Sequence, residues 1–137
     1  MMQSGYSGTS LIKKLGIKEN HKVKLVNAPA SYFDWLENDI SSQLCKKNEL
    51  PDFVHLFAKD VKTFEAGIQK ILAQIKPDTI IWVSWYKKSS GIPTDLDENI
   101  IRHYALKNNL VDIKVCAVNE EWSGLKLVVP VVKRKTI

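Results

Sequence analysis

The sequence predicts an α/β domain built on an open, mostly parallel sheet with helices on both faces. Short apolar runs, of the kind found in strands covered on both faces, alternate with helical segments along the chain. In the clearest helix, residues 61–75, apolar side chains recur at alternating steps of three and four residues. A chain of 137 residues with 45% apolar residues is long enough for one domain with its own core.

The first third of the chain predicts two short helices around one strand. Ser10 is placed to cap the first helix and Gly16 to end it, at residues 11–15. A strand, a proline-containing turn and an aromatic-rich helix then follow in order, at residues 23–26, 27–29 and 32–36. Residues 39–51 fit a short helix, a weak edge strand or neither.

The rest of the chain alternates strands and helices before it ends in two strands. Asp60 is placed to cap the helix that Pro77 closes, and acidic residues mark the start of the next helix at 93–97. Four strands are predicted in this part, at residues 53–57, 79–85, 112–118 and 125–132, the last two joined by a turn at 122–124. Right-handed crossovers make the first four strands of the chain parallel, and the short final connection makes the last strand antiparallel.

Composition and charge limit the partner and the compartment. The net charge of +5 and the pI near 9.2 favour an anionic partner but fall short of a nucleic-acid-binding signature. Cys45 and Cys116 lie far apart and form no CxxC pair, as expected of reduced thiols in a cytosol. The N-terminus has no signal-peptide pattern, and the longest apolar stretch, residues 127–132, is too short to span a membrane. We therefore predict a cytoplasmic protein with no membrane partner.

No linker, repeat or low-complexity run divides the chain. The predicted organisation is a flexible N-terminal arm at residues 1–10, a single α/β domain at 11–132 and a basic tail at 133–137. The lysines near both ends are typical of a solvated surface.

The carboxyl ends of the parallel strands are the predicted ligand-binding edge, because ligands of open α/β sheets bind there. The loop after the third strand carries two lysines, two hydroxyls and a glycine, and it leads to a helix N-terminus. It lacks the spacing of a phosphate-binding P-loop, so a solvated polar turn remains the alternative. The predicted binding residues for an anionic small molecule are Asn27, Trp85, Lys87, Lys88, Ser89, Ser90 and Thr94.

The sequence shows no cofactor fingerprint and no catalytic constellation. The first strand-to-helix turn, residues 27–31, lacks the glycines that a dinucleotide or S-adenosylmethionine site needs for close backbone approach, so no cofactor is predicted. His55 lies among apolar residues and is interpreted as a hydrogen-bonded core residue. His21 and His103 are not spaced as a metal-binding pair, and no metal site is predicted.

Several stretches together resemble a family of short bacterial proteins that is classed as a domain of unknown function. The resemblance covers about residues 5 to 128, and its most specific part is the run Lys-Lys-Ser-Ser-Gly-Ile-Pro-Thr-Asp at 87–95. Ser10 and Tyr86 depart from the pattern, since proline is expected at both positions. The family is in turn similar to the latter part of class I methyltransferases, which implies a Rossmann-like, truncated methyltransferase-like fold and leaves the activity open.

Three functions remain open from the sequence. The leading hypothesis is a non-enzymatic domain that binds an anionic small molecule at the carboxyl edge of the sheet. The second is a degenerate methyltransferase-like transferase, with an acidic residue of that edge as base. The third is an interaction module whose protein partner docks on residues 5–10 or on the basic N-terminal stretch.

Overall fold

A computed structural model describes residues 9–136, so most of the predicted arm at 1–10 lies outside the described residues. Its centre is a five-stranded sheet in the order β1-β2-β3-β5-β4. Strands β1, β2 and β3 are parallel, and β5 runs antiparallel to both β3 and β4. The predicted fold class is confirmed, with the one antiparallel strand inserted inside the sheet. The strands are β1 (Val23–Val26), β2 (Phe53–Phe57), β3 (Ile80–Tyr86), β4 (Val111–Ala117) and β5 (Trp122–Val128).

Four α-helices cover the two faces of the sheet: α1 (Leu11–Leu15), α2 (Tyr32–Leu36), α3 (Val61–Leu72) and α4 (Glu98–Lys107). Helices α3 and α4 pack on one face, where Phe64, Ile68 and Ile101 are fully buried. Helices α1 and α2 pack on the other face, where Leu15 and Tyr32 are buried. Alternate side chains of β2 enter the two layers, which explains why that strand reads as one continuous apolar run.

A chain of polar side chains crosses the α1–α2 layer. The Tyr32 hydroxyl lies 2.7 Å from His55 Nδ1, and His55 Nε2 lies 2.7 Å from the Ser84 hydroxyl. Burial lowers the pKa of His55 to about 3, so the imidazole is neutral at ordinary pH. His55 is therefore the hydrogen-bonded core residue that the sequence predicts, and its two ring nitrogens join α2 to β3.

Several predicted boundaries are wrong: the helix predicted at 61–75 ends at Leu72, and the last strand, predicted at 125–132, runs from Trp122 to Val128. The turn predicted at 122–124 belongs to β5. The reversal lies just before it, where Asn119 Oδ1 accepts hydrogen bonds from the backbone N–H groups of Glu121 and Trp122. Helix α4 begins at Glu98, after residues 93–97, because its N-cap is Asp97, whose carboxylate accepts from the Ile100 N–H.

Short 3₁₀ helices form in the segment after α2 and near the end of the described residues. In the segment left unassigned by the sequence, Ser41–Gln43 form a 3₁₀ helix, and Leu44 bridges to Val23 of β1. Near the end of the described residues, the 3₁₀ helix Val131–Thr136 crosses the boundary predicted between domain and tail.

Cys45 and Cys116 are free thiols. Within residues 9–136, no helix combines the length and the apolar character needed to cross a membrane.

Candidate ligand-binding cleft

A cleft of about 510 Å³ opens at the carboxyl edge of the parallel strands. It lies where β1, β2 and β3 end and where the antiparallel β5 begins, in the position expected for an open α/β sheet. Its volume falls within the range of small-molecule sites, about 300–1,000 Å³. The lining residues are Asn27, Pro29, Phe57, Lys59, Thr63, Tyr86 and Trp122.

Aromatic rings form the floor of the rim cleft, as we call this space. The ring of Tyr86 stacks on the Trp122 indole, with centroids 4.2 Å apart and planes inclined by 29°. Phe57 meets Trp122 edge to face at a centroid distance of 5.0 Å. Trp122 and Phe57 are buried, whereas Tyr86 is half-buried. Such a floor suits a flat ring, because aromatic groups gain from offset stacking as well as from buried area.

Asn27 forms the wall beside β1. Its backbone is left-handed, with φ of 59°, a conformation that asparagine tolerates better than most residues that carry a Cβ. Its side-chain Nδ2 donates to the Phe57 carbonyl oxygen at 3.3 Å, which ties the turn after β1 to the end of β2. A side chain therefore stands at a turn where a dinucleotide-binding site would have glycine.

Lys59 gives the rim cleft its charge. The residue is exposed, and among the described lining residues no carboxylate accompanies it. A neighbouring recess of about 610 Å³ shares Lys59 but also contains Asp60 and Asp95. Hydrogen bonds from the Thr63 side chain and backbone hold the pKa of Asp60 below its usual range, so this carboxylate is ionised. The rim cleft is thus the more favourable of these two recesses for an anion.

The N-terminus of α3 is already occupied by carboxylates. The Val61 N–H donates to Asp95 Oδ1, and the Thr63 N–H donates to Asp60 Oδ1, each at 2.8 Å. These contacts satisfy donors that would otherwise attract an anion. The cationic character of the rim cleft therefore comes from Lys59 rather than from the helix.

Six of the seven residues that the sequence predicts as one site are divided among three recesses, and Ser90 lines none of the three. Asn27 lines the rim cleft, and Thr94 lines the neighbouring 610 Å³ recess. A third recess of about 470 Å³, which we call the lysine recess, is lined by four of the predicted residues: Trp85, Lys87, Lys88 and Ser89. Tyr86 lines all three recesses and links them along the edge of the sheet.

Two hydroxyls of the predicted site hold the loop together. The Ser90 hydroxyl donates to the Lys87 carbonyl oxygen at 2.6 Å and accepts from the Ile92 N–H. The Thr94 hydroxyl donates to the Lys59 carbonyl oxygen at 2.7 Å and accepts from the Leu96 N–H. These bonds fix the backbone that carries the lysines, and they engage both hydroxyls within the protein.

The lysine recess carries charges of both signs. Asp97 and Glu98 line it together with Lys87 and Lys88. Trp85 is only 7% exposed and packs in the α3–α4 layer, on the opposite side of the sheet from the rim-cleft aromatics. The recess therefore offers an anion a weaker net field than its two lysines alone suggest.

Six residues that line the rim cleft are outside the predicted set of binding residues: Pro29, Phe57, Lys59, Thr63, Tyr86 and Trp122. A signal for Tyr86 was present in the strand pattern. Side chains alternate along a strand, so Tyr86 shares a face with Trp82, whereas Trp85 must face the other way. Grouping by face would have separated Trp85 from the aromatic floor.

Comparison with known proteins supports the fold. No protein-family model matches the chain, and no curated protein matches it significantly in sequence. One solved structure that it resembles is a ribosomal protein L11 methylase from Lactobacillus delbrueckii subsp. bulgaricus, with a TM-score of 0.51 and 10% identity over 85% of this chain and 73% of that chain. The fold is Rossmann-like. A protein of the NADB-Rossmann superfamily from Streptococcus agalactiae gives a TM-score of 0.52 and 9% identity, over 88% of this chain and 68% of that chain.

Proposed function

We propose that the protein is a binding domain for a small anionic molecule with a flat ring, and that this molecule occupies the rim cleft. One observation carries the proposal. Of the three recesses along this edge, the rim cleft combines an aromatic floor with a cation and has no carboxylate among its described lining residues. A mononucleotide has the matching chemistry, with a flat base and a charged phosphate.

Each part of the rim cleft has a role in this proposal. Tyr86, the half-buried member of the stacked pair, receives the ring with Trp122 behind it, and a stacked aromatic contact contributes about 0.5–1.5 kcal/mol beyond the buried area. Lys59 pairs with the anionic group at the open side of the cleft. Asn27, held by the Phe57 carbonyl oxygen, presents its amide at the wall and can discriminate among ring substituents.

A methyl-transfer function is the second candidate, and the likeness to a ribosomal protein L11 methylase favours it. It would require S-adenosylmethionine to fit beside a turn that carries Asn27, Ala28 and Pro29 in place of glycines. Membership of the family of short bacterial proteins with a domain of unknown function stays a proposal, and that family has no assigned activity that could distinguish the two candidates. A cytoplasmic location likewise stays a prediction.

A thermal-shift panel tests the binding function. The panel contains adenosine monophosphate, adenosine, inorganic phosphate and S-adenosylmethionine. A ligand at 100 times its dissociation constant stabilises the fold by about 2.7 kcal/mol, which raises the melting temperature by several degrees. The proposal expects a shift with adenosine monophosphate that exceeds the shifts with adenosine and with phosphate. A shift with S-adenosylmethionine alone would favour the transferase instead.

Two variants locate the ligand. Lys59→Met removes the charge of the rim cleft, and the double variant Lys87→Ala/Lys88→Ala removes the charges of the lysine recess. The proposal expects the first variant to lose the shift and the second to keep it. Loss only in the double variant would move the site to the lysine recess, and a flat panel would contradict small-molecule binding at this edge.

A further inference from the structure

Strand β4 forms an open edge of the sheet. It pairs with β5 on one side, and no described strand or bridge pairs with its other side. The opposite edge of the sheet, strand β1, is partly covered by another segment of the chain. There, Leu44 bridges to Val23 and the Cys45 N–H donates to the Val23 carbonyl oxygen at 2.9 Å. An uncovered edge strand offers backbone donors and acceptors to another chain.

Apolar side chains are exposed along this edge. Ile113 is 52% exposed and Val115 is 46% exposed, although both lie within the strand. Val115 lies opposite Leu125, which is fully buried in the α3–α4 layer. Val115 therefore continues the apolar face of the sheet beyond the area that the helices cover.

The opposite face of the same edge is cationic. Lys114 lies directly across from Lys126, and like charges in that position destabilise a sheet. Burial lowers the pKa of Lys126, and the charge of Lys114 lowers it further. Lys14 of α1 adds a third positive charge near Cys116, two residues beyond Lys114.

Among the described residues, none of these three lysines forms an ion pair. The ion pairs of the described residues involve other cations: Lys22, Lys76 and Arg102. Residues 1–8, outside the described part, contain no Asp or Glu. The fold thus maintains an unfavourable pair of like charges beside an open strand, which an anionic partner would relieve.

We propose that the β4 edge binds an extended acidic peptide segment of another protein, which adds to the sheet as a further strand. In this arrangement the apolar side chains of the segment lie beside Val115, and its carboxylates, alternating with them, lie beside Lys114, on the face where Lys126 stands one strand further in. A second copy of this chain is a poor partner for the β4 edge. Two β4 edges would bring the Lys114 side chains of two +5 proteins together.

The competing explanation is that Lys114 and the adjacent register shift protect the edge. Charged side chains and bulges are common devices against unwanted strand pairing, and the β4–β5 register shifts between Asp112 and Lys114. Under that explanation no peptide binds. The two explanations therefore give opposite results with one probe.

The probe is a peptide of about eight residues in which glutamate and valine alternate, roughly the length of a strand. Its affinity is measured by calorimetry, and amide hydrogen exchange locates it. The proposal expects saturable binding with protection confined to residues 111–117. A version of the peptide methylated at alternate backbone nitrogens keeps its charge but loses strand donors, and it should not bind.

Matched charge reversals test the role of the lysines. Lys114→Glu should weaken peptide binding by about tenfold or more, whereas Lys70→Glu, an exposed reversal on α3, should leave it unchanged. Three results would overturn the proposal: no binding of the peptide, equal binding of the methylated version, or equal weakening by both reversals. Tighter binding of an oligothymidylate to the same residues would replace it with a nucleic-acid partner.

Discussion

Tyr86 and Trp122 are register partners on adjacent antiparallel strands, and their rings stack with centroids 4.2 Å apart. The pair closes the carboxyl edge of the sheet at the point where β3 ends and β5 begins. Because β5 is inserted between β3 and β4, an aromatic residue of the last strand reaches an edge otherwise made by parallel strands. The topology of the sheet thus creates the floor of the rim cleft.

Replacing Tyr86 by leucine should weaken the binding of adenosine monophosphate by about fivefold, since a stacked ring contributes roughly 1 kcal/mol. Calorimetric titration measures the change. The matched control is Tyr104→Leu, which removes a ring that packs on Phe64 in the α3–α4 layer and does not line the rim cleft. Equal affinities in the wild type and the Tyr86 variant would contradict the stacking role.

The fold was largely predictable because it depends on local patterns. Apolar runs marked the buried strands, and the alternating three- and four-residue steps marked α3. Strand order was not predictable in the same way. The sequence shows that β3 is covered on both faces, but the choice of β5 as its neighbour depends on pairing between distant segments.

The candidate site was predictable only in its location. The carboxyl edge follows from the topology, and Asn27 lines the cleft at that edge. The composition of the loop with Lys87 and Lys88 predicts an anion site. In the folded chain, however, Asp97 and Glu98 line the same recess and offset the positive charge of the lysines. Lys59 is a single charge in the sequence, and its role becomes visible only because no carboxylate is among the described residues that line the rim cleft.

Protonation of His55 should make the protein less stable in acid. The folded-state pKa is near 3 because of burial, whereas the unfolded chain titrates near 6.5. Between these pH values the unfolded state binds more protons than the folded state. The full contribution of neutral His55 to the free energy of unfolding is therefore present above about pH 6.5, and as the pH is lowered from 6.5 towards 3 it is lost at about 1.4 kcal/mol per pH unit. Urea unfolding across this range measures the slope.

The variant His55→Gln provides the comparison, because glutamine is polar but does not titrate. Its unfolding free energy should depend less steeply on pH than that of the wild type, even though both proteins share every surface carboxylate. Identical slopes would show that His55 titrates normally in the folded protein, and they would contradict its full burial.

Removal of the Tyr32 hydroxyl should destabilise the fold by about 1–3 kcal/mol. The change Tyr32→Phe leaves His55 Nδ1 buried without the partner that it has at 2.7 Å. Chemical denaturation measures the loss. In the control, Tyr104→Phe removes a hydroxyl with no hydrogen bond among the described residues, so stability should change by less than about 0.5 kcal/mol. Similar effects of both changes would contradict the importance of the polar chain.

Close packing disfavours a side chain at position 124. A Cβ there would lie 3.1 Å from Trp82 Cε3 and 3.3 Å from the Ser84 hydroxyl. Gly124→Ala should therefore cost about 1–3 kcal/mol through overpacking, as judged by the urea midpoint. The neighbouring half-buried Ser123 should tolerate alanine better. A Gly124 variant as stable as the wild type would mean that Trp82 can shift freely.

The most direct test of the central claim uses the indole N–H signals of the tryptophans, followed by nuclear magnetic resonance during titration with adenosine monophosphate. Trp122 lines the rim cleft, and Trp85 lines the lysine recess, so the two signals distinguish the two locations. The account predicts a saturable shift of the Trp122 signal that Lys59→Met abolishes, with the Trp85 signal unchanged. A shift of Trp85 alone, or of neither signal, would contradict ligand binding in the rim cleft.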